Sequence, residues 1–228
     1  MIVTYYGQAA VGVEVDGIHL LFDPFISPNT LAKHIDIDQI PADYILISHG
    51  HKDHLFDAES IAKRTDALII SNYEIVSWYG KKELKGHPMN HGGKWTFDFG
   101  TVKYVNAVHS SVLPDGTYGG NPGGFVISTP SGAFYFAGDT ALTWDMKLIP
   151  MTCPKLDFAI LPIGDNFTMG YEDASIASDF IACDEIIACH YDTFGYITID
   201  KKAASKTFSD KGKQLHFINI GENKSFKK

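Results

Sequence analysis

Long apolar runs are missing from this 228-residue chain. No stretch approaches the roughly 20 consecutive apolar residues that a spanning helix needs, so no membrane partner is expected. Basic residues are few: 19 Lys and Arg stand against 27 Asp and Glu, a net charge of −8. That balance disfavours a partner held through its phosphate backbone, and nucleic acid is not expected. The one basic cluster, Lys224-Ser225-Phe226-Lys227-Lys228, reads as a frayed, solvated terminus. Cysteine is sparse too. Cys153, Cys183 and Cys189 are odd in number and lack CxxC spacing, which points to free thiols in a reducing, cytoplasmic compartment. Cys183 and Cys189 sit among apolar neighbours and read as small buried hydrophobes. Met1-Ile2-Val3-Thr4-Tyr5-Tyr6 has no basic n-region, so no signal peptide is expected. Low-complexity tracts and long linkers are absent, and one domain spanning residues 1–228 is the expectation.

Alternating and apolar runs are plentiful. Ile2–Tyr5, Ala10–Val15 and Ile18–Phe22 read as strands, with Asp16-Gly17 as a hairpin turn between the last two. Tyr44–Ile47 reads as a short strand buried on both faces. A helix over Ala58–Arg64, a strand over Ala67–Ile70 and a helix over Tyr73–Tyr79 follow. After a Gly-rich passage at Gly86–Gly93, strands are expected at Lys94–Phe97, Thr101–Val108, Phe125–Thr129 and Ala133–Phe136. Then come a strand at Phe158–Leu161, a helix near Glu172–Ile181, a strand at Ile186–Cys189, a helix over Lys201–Asp210 and a strand at Leu215–Ile218. Strands lead and helices follow, twice over. This order implies an α/β protein of two mixed sheets packed face to face with helices outside, an αββα sandwich.

The strongest chemical signal is His49-Gly50-His51-Lys52-Asp53-His54. An H-x-H-x-D-H match is expected by chance on the order of 10⁻³ times in such a chain. It directly follows the strand at Tyr44–Ile47, and loops at strand ends are where a rigid scaffold aims several side chains at one point. In an extended or turning stretch His49 and His51 point the same way and can share one ion, while Asp53 and His54 turn toward a neighbouring position. Three further candidates also close apolar runs: His109, Asp139 in Gly138-Asp139-Thr140, and His190. Any one of them alone reads as a cap or a surface polar residue; together with the cluster they read as ligands. Imidazole with carboxylate suits zinc, and an all-nitrogen-and-oxygen set also accepts manganese, iron or nickel.

On these residues the chain resembles the metallo-β-lactamase superfamily over essentially its whole length. The resemblance implies two divalent metal ions, with His49, His51 and His109 on one and Asp53, His54 and His190 on the other. Asp139 would bridge both. The set is similar to the glyoxalase II type. Antibiotic-degrading lactamases place a cysteine at the second site, and the redox flavodiiron branch carries Glu where this chain has His51. Gly86-His87-Pro88-Met89-Asn90-His91-Gly92-Gly93, Phe97-Asp98-Phe99-Gly100, Gly120-Asn121-Pro122, Gly164–Gly170 and His190–Phe194 look like a metal-dependent hydrolase family close to ascorbate-6-phosphate lactonase. Tyr171 and Gly195-Tyr196 depart from that family's prolines near the expected pocket. The implied chemistry is attack of a metal-bridging hydroxide on a small metabolite ester, lactone or phosphate-containing ester, with Asp53 orienting the hydroxide.

Two divalent ions against Asp53 and Asp139 would leave the site locally positive, which suits a small anionic substrate. Alternative readings are a phosphodiesterase acting on nucleic acid or lipid head groups and a non-catalytic metal-binding regulatory module. Self-association is left open. Asp23, in Phe22-Asp23-Pro24, is expected to hydrogen-bond the metal loop from behind. Asp165 and Asn166 are candidates for the pocket mouth. Tyr191 is expected to be a packed ring, and His19, His34, His87, His91 and His216 have no ligand partners in the pattern.

Overall fold

The turn at Asp16-Gly17 adopts left-handed backbone at both residues (φ 50° and 86°), the geometry that matches the twist of a tight hairpin. It joins β2 (Ala10–Val15) to β3 (Ile18–Phe22), and β1 (Ile2–Gly7) pairs antiparallel with β2. The computed structural model describes residues 1–226. Beyond β3 the chain forms β4 (Tyr44–Leu46), α1 (Lys52–Leu55), α2 (Ala58–Thr65), β5 (Leu68–Asn72), α3 (Tyr73–Gly80) and β6 (Gly86–Met89). The second half contributes β7 (Lys94–Phe97), β8 (Gly100–Asn106), β9 (Gly123–Thr129), β10 (Gly132–Phe136), α4 (Ile149–Thr152) and β11 (Phe158–Pro162). It ends with α5 (Tyr171–Phe180), β12 (Glu185–Cys189), α6 (Lys201–Ser209), β13 (Gln214–His216) and β14 (Asn223–Ser225).

Two seven-stranded mixed sheets result, ordered β14-β1-β2-β3-β4-β5-β6 and β13-β12-β11-β10-β9-β8-β7. Period-two patterning sorts the side chains of the first sheet. Leu20, Phe22, Leu46 and Ile70 join the cluster that holds Phe125, Ile127, Phe134 and Phe136 of the facing sheet. Their neighbours Leu21, Ile45 and Ile69 turn the other way, onto Ile61 and Ala62 of α2 and Ile75 and Tyr79 of α3. On the far side, Ala174 and Ala177 of α5 and Phe208 of α6 complete the αββα layering.

Two local expectations need correction. The Gly-rich passage contains β6, which pairs parallel with β5 from Ile69↔Gly86 to Asn72↔Met89. As the edge of its sheet, β6 tolerates Pro88, which a central strand would exclude, and that Pro hid the strand. The basic tail is not frayed where it is described: β14 pairs with β1, Val3 opposite Lys224, and Phe226 is buried against Phe158. Lys227 and Lys228 lie outside the described residues. Within the metal motif, α1 begins at Lys52 with His51 as its N-cap residue.

Candidate metal centre

Most of the candidate ligands lie just beyond the ends of strands in the two facing sheets. Asp23 directly follows β3 and His190 directly follows β12, whereas His49, His109 and Asp139 each come three residues after β4, β8 and β10. Gln8 directly follows β1. All seven predicted residues meet there. His49, His51 and His109 place one nitrogen each within 4.8 Å of one another, and so do the ligand atoms of Asp53, His54 and His190. Asp139 sits between the two groups. Its Oδ2 is 3.0 Å from His190 Nε2, 3.2 Å from His54 Nε2, 3.6 Å from His109 Nε2 and 4.0 Å from His49 Nε2.

The ring nitrogens have defined roles. Asp23 accepts from the Ser48 backbone N–H at 2.7 Å and from the Ser48 hydroxyl, and its Oδ2 lies 2.7 Å from His54 Nδ1. With its proton given to Asp23, the Ser48 oxygen accepts from His49 Nδ1, 2.9 Å away. His49 and His54 therefore carry a proton on Nδ1 and turn Nε2 toward the centre. His49 Nε2 and His51 Nδ1 are 2.9 Å apart.

The electrostatics describe an overloaded cluster. Burial alone would raise the Asp139 and Asp53 carboxyls, yet the surrounding imidazoles of His190 and His54 hold both well below the usual range. Burial alone would lower His54, but Asp139, Asp53 and Asp23 push it well up; by the same opposition His190 reaches about 9. Burial drives His49, His51 and His109 down. His54 Nε2 and Asp139 Oδ1 are buried and make no hydrogen bond, a costly state for polar atoms unless a cation meets them. Bare imidazole nitrogens and ionised carboxylates converging on one place are the donor set that a divalent ion of the zinc class takes, and such an ion replaces the proton on His54. The residues fit the metals.

Left-handed backbone recurs around the centre: Gln8 (φ 54°), Asp23 (42°), Asp165 (62°), Asn166 (53°), His190 (54°) and Asp192 (61°). Each is a non-glycine residue held where it is strained, which is typical of sites. Gly138 (φ 62°) tolerates no side chain, since a Cβ would sit 2.5 Å from Ser48 Cβ.

A cavity of about 530 Å³ opens over the centre. His51, Asp53, His109, Asp139 and His190 form its floor; Phe25, Pro28, Lys52, Ser110, Phe167 and Phe194 form its walls. Asp165 and Asn166 do not line it; they form the turn that presents Phe167. Tyr191 is a buried ring stacked on Tyr5 (6.2 Å between ring centres). His91 stacks on Tyr104 with Nε2 2.8 Å from the Pro122 carbonyl, and His87 lies against Trp95 and Phe97.

Gln8 is the residue that sequence reading passed over. Its side chain is fully buried, its Nε2 donates to Asp53 Oδ2 at 3.0 Å, and its carbonyl accepts from the His190 backbone N–H at 2.7 Å. One residue in a tight turn thus braces two members of the same ligand group. Its signal, a lone Gln between two strands, carries no chemistry by itself. Gln8→Leu is expected to weaken metal binding at the Asp53 side by about 10- to 100-fold, the usual effect of losing such a brace; metal titration of the variant measures it. Cys183 is buried with Sγ 3.5 Å from the Glu185 carbonyl, and burial pushes its thiol up to about 11. Cys183→Ala is expected to leave kcat/KM within a few-fold of the parent. A loss on the order of 10³, about 4 kcal/mol, would demand a thiol mechanism instead.

Comparisons with known proteins agree with this geometry. A family model described as a β-lactamase superfamily domain matches residues 19–191, well over half of the chain. A UPF0173 metal-dependent hydrolase of Flavobacterium johnsoniae is 60% identical over 98% of this chain and 99% of its own length. The chain is a metal-dependent hydrolase of the metallo-β-lactamase superfamily. UPF0173 metal-dependent hydrolase YtkL of Bacillus subtilis is 43% identical to this hydrolase, over 89% of this chain and 91% of the relative. Among solved structures, Igni18, a metallo hydrolase from the archaeon Ignicoccus hospitalis, is 32% identical, covers 99% of each chain and superposes with a TM-score of 0.89. No helix among the described residues is long and apolar enough to cross a membrane.

Proposed function

We propose that this hydrolase is dinuclear and cleaves a small, singly anionic metabolite ester, lactone or phosphate-containing ester. The observation that carries the reading is the meeting of two three-residue donor groups on Asp139 at the floor of one cavity. His49, His51 and His109 would hold one ion, Asp53, His54 and His190 the other, and Asp139 would touch both. Zinc is the metal of choice for this donor set. When bound, the two ions supply an activated water and neutralise charge that develops on the substrate oxygen.

The protein's own groups do the rest. Asp53, whose side chain is 27% exposed at the cavity wall, orients the attacking water and takes its proton. The Gln8 N–H bonded to Asp53 Oδ2 fixes that carboxylate beforehand. Asp23 and Ser48 lock the His54 and His49 rings so that Nε2 faces inward. Lys52 lines the cavity and has no carboxylate within 4 Å among the described residues, which supports an anionic group on the substrate. The net charge of −8 argues against a polyanion over the wider surface.

A competitive panel of esters, lactones, thioesters, phosphodiesters, RNA and DNA at physiological salt tests this. The expected result is turnover of a small ester or lactone with kcat/KM above that on either nucleic acid. RNA or DNA cleaved faster than every small substrate would overturn it.

A further inference from the structure

Setting aside the candidate ligands, the cavity wall is mostly aromatic and apolar: Phe25, Pro28, Phe167 and Phe194, with Lys52 and Ser110 the two polar residues. We infer that the substrate carries an apolar acyl chain or ring, which these three phenylalanines hold while its reacting oxygen meets the metal centre. The inference rests on the hydrolase reading above and names the substrate class of that same site.

The aromatic wall is built rather than incidental. Phe167 is 50% exposed and Phe194 39% exposed, an unfavourable placement for two phenylalanines unless something covers them. Phe167 stands in the loop Gly164–Gly170, whose ends pair with each other. Asp165 and Asn166 both hold left-handed backbone just before it. The Met169 N–H donates to the Thr140 carbonyl at 3.0 Å, tying this loop to the residue after Asp139. Phe194 follows His190 by four residues, across the left-handed turn at Asp192, whose carboxylate is 3.0 Å from Lys201 Nζ. One strained segment, His190–Phe194, therefore both sets a metal donor and raises a ring beside it, and the loop bearing Phe167 is tied next to Asp139.

Phe25 completes the wall. It is nearly buried, 6.3 Å from Phe194 and edge-on to Phe56 at 6.4 Å. Its loop is tied down by Asp57, which accepts from the Ile26 and Ser27 backbone N–H groups at 2.7 and 2.9 Å. A wall fixed at three points is preorganised for an apolar guest. At roughly 30 Å³ for a water-sized atom, 530 Å³ admits on the order of 15 non-hydrogen atoms, enough for a medium-length acyl chain but not for a polymer.

The test uses the metal-loaded full chain and two readouts. The first is kcat/KM on p-nitrophenyl esters from acetate to decanoate. The second is calorimetric affinity for acetate, butyrate, hexanoate and octanoate as product-like carboxylates. Both are expected to rise about threefold per added methylene until the cavity fills. Phe167→Ala and Phe194→Ala are expected to flatten both slopes, with metal content within twofold of the parent.

Flat affinity across the carboxylates overturns the inference whatever the esters do. Rising affinity with no ester turned over overturns the ester-hydrolase reading and leaves the acyl wall standing. Variants that lower the oligomeric mass in solution while both slopes stay intact would assign these rings to a subunit contact and also overturn the inference.

Discussion

Asp139→Ala is expected to abolish turnover, lowering kcat/KM by 10³ or more, a loss of at least about 4 kcal/mol of transition-state stabilisation. It should also weaken metal at both positions. The carboxylate lies within 4.0 Å of His49, His54, His109 and His190, two residues from each donor group. Its removal leaves His49 and His109 with no carboxylate within 4 Å among the described residues, and only Asp53 facing both His54 and His190. His91→Ala is the control. His91 is stacked on Tyr104 and tied to the Pro122 carbonyl, and its loss should change neither metal content nor rate. Equal losses in the two variants would remove Asp139 from the centre of the account.

Asp23→Ala is expected to have the second largest effect, on stability and metal affinity together. Asp23 is fully buried and neutralises His54 from behind while holding Ser48 through both backbone and hydroxyl. Burial raises its carboxyl, and His54 and Ser48 pull it only part of the way back, so these partners are what favours its charged form. Removing it strands a buried imidazole and a buried N–H, and breaking such a pair typically costs about 3–5 kcal/mol. The ring of His54 also loses the contact that fixes its tautomer, for a further 10- to 100-fold in metal affinity. Denaturant unfolding and metal titration of the variant check the two parts separately. An Asp23→Ala protein with parental stability and parental metal affinity would show that this network is ornamental.

The sequence was most legible where one periodicity or one motif carried the information. The alternating runs of β2 and β3 and their Asp16-Gly17 turn appear at the expected residues, because strand pattern and turn chemistry agree there. The candidate donors were legible because His and Asp at strand ends are rare enough to stand out in combination. β6 was not, because an edge strand accepts Gly86 and Pro88, residues that elsewhere mark loops. β14 was not, because three polar residues form it and only pairing with β1 makes it a strand.

Gln8 and the aromatic wall were illegible for a different reason. Their roles depend on contacts distant in sequence, such as Gln8 with Asp53, 45 residues away. They also rest on backbone strain at Asp165, Asn166 and Asp192, which no local propensity announces.

Elemental analysis of protein prepared without chelator, coupled to activity as metal is withdrawn and restored, tests the central claim most directly. The account predicts about two zinc-like ions per chain, with turnover lost on chelation and regained in step with reloading to that ratio. A folded protein that binds no metal after supplementation, or that keeps full turnover once stripped of it, would contradict the account.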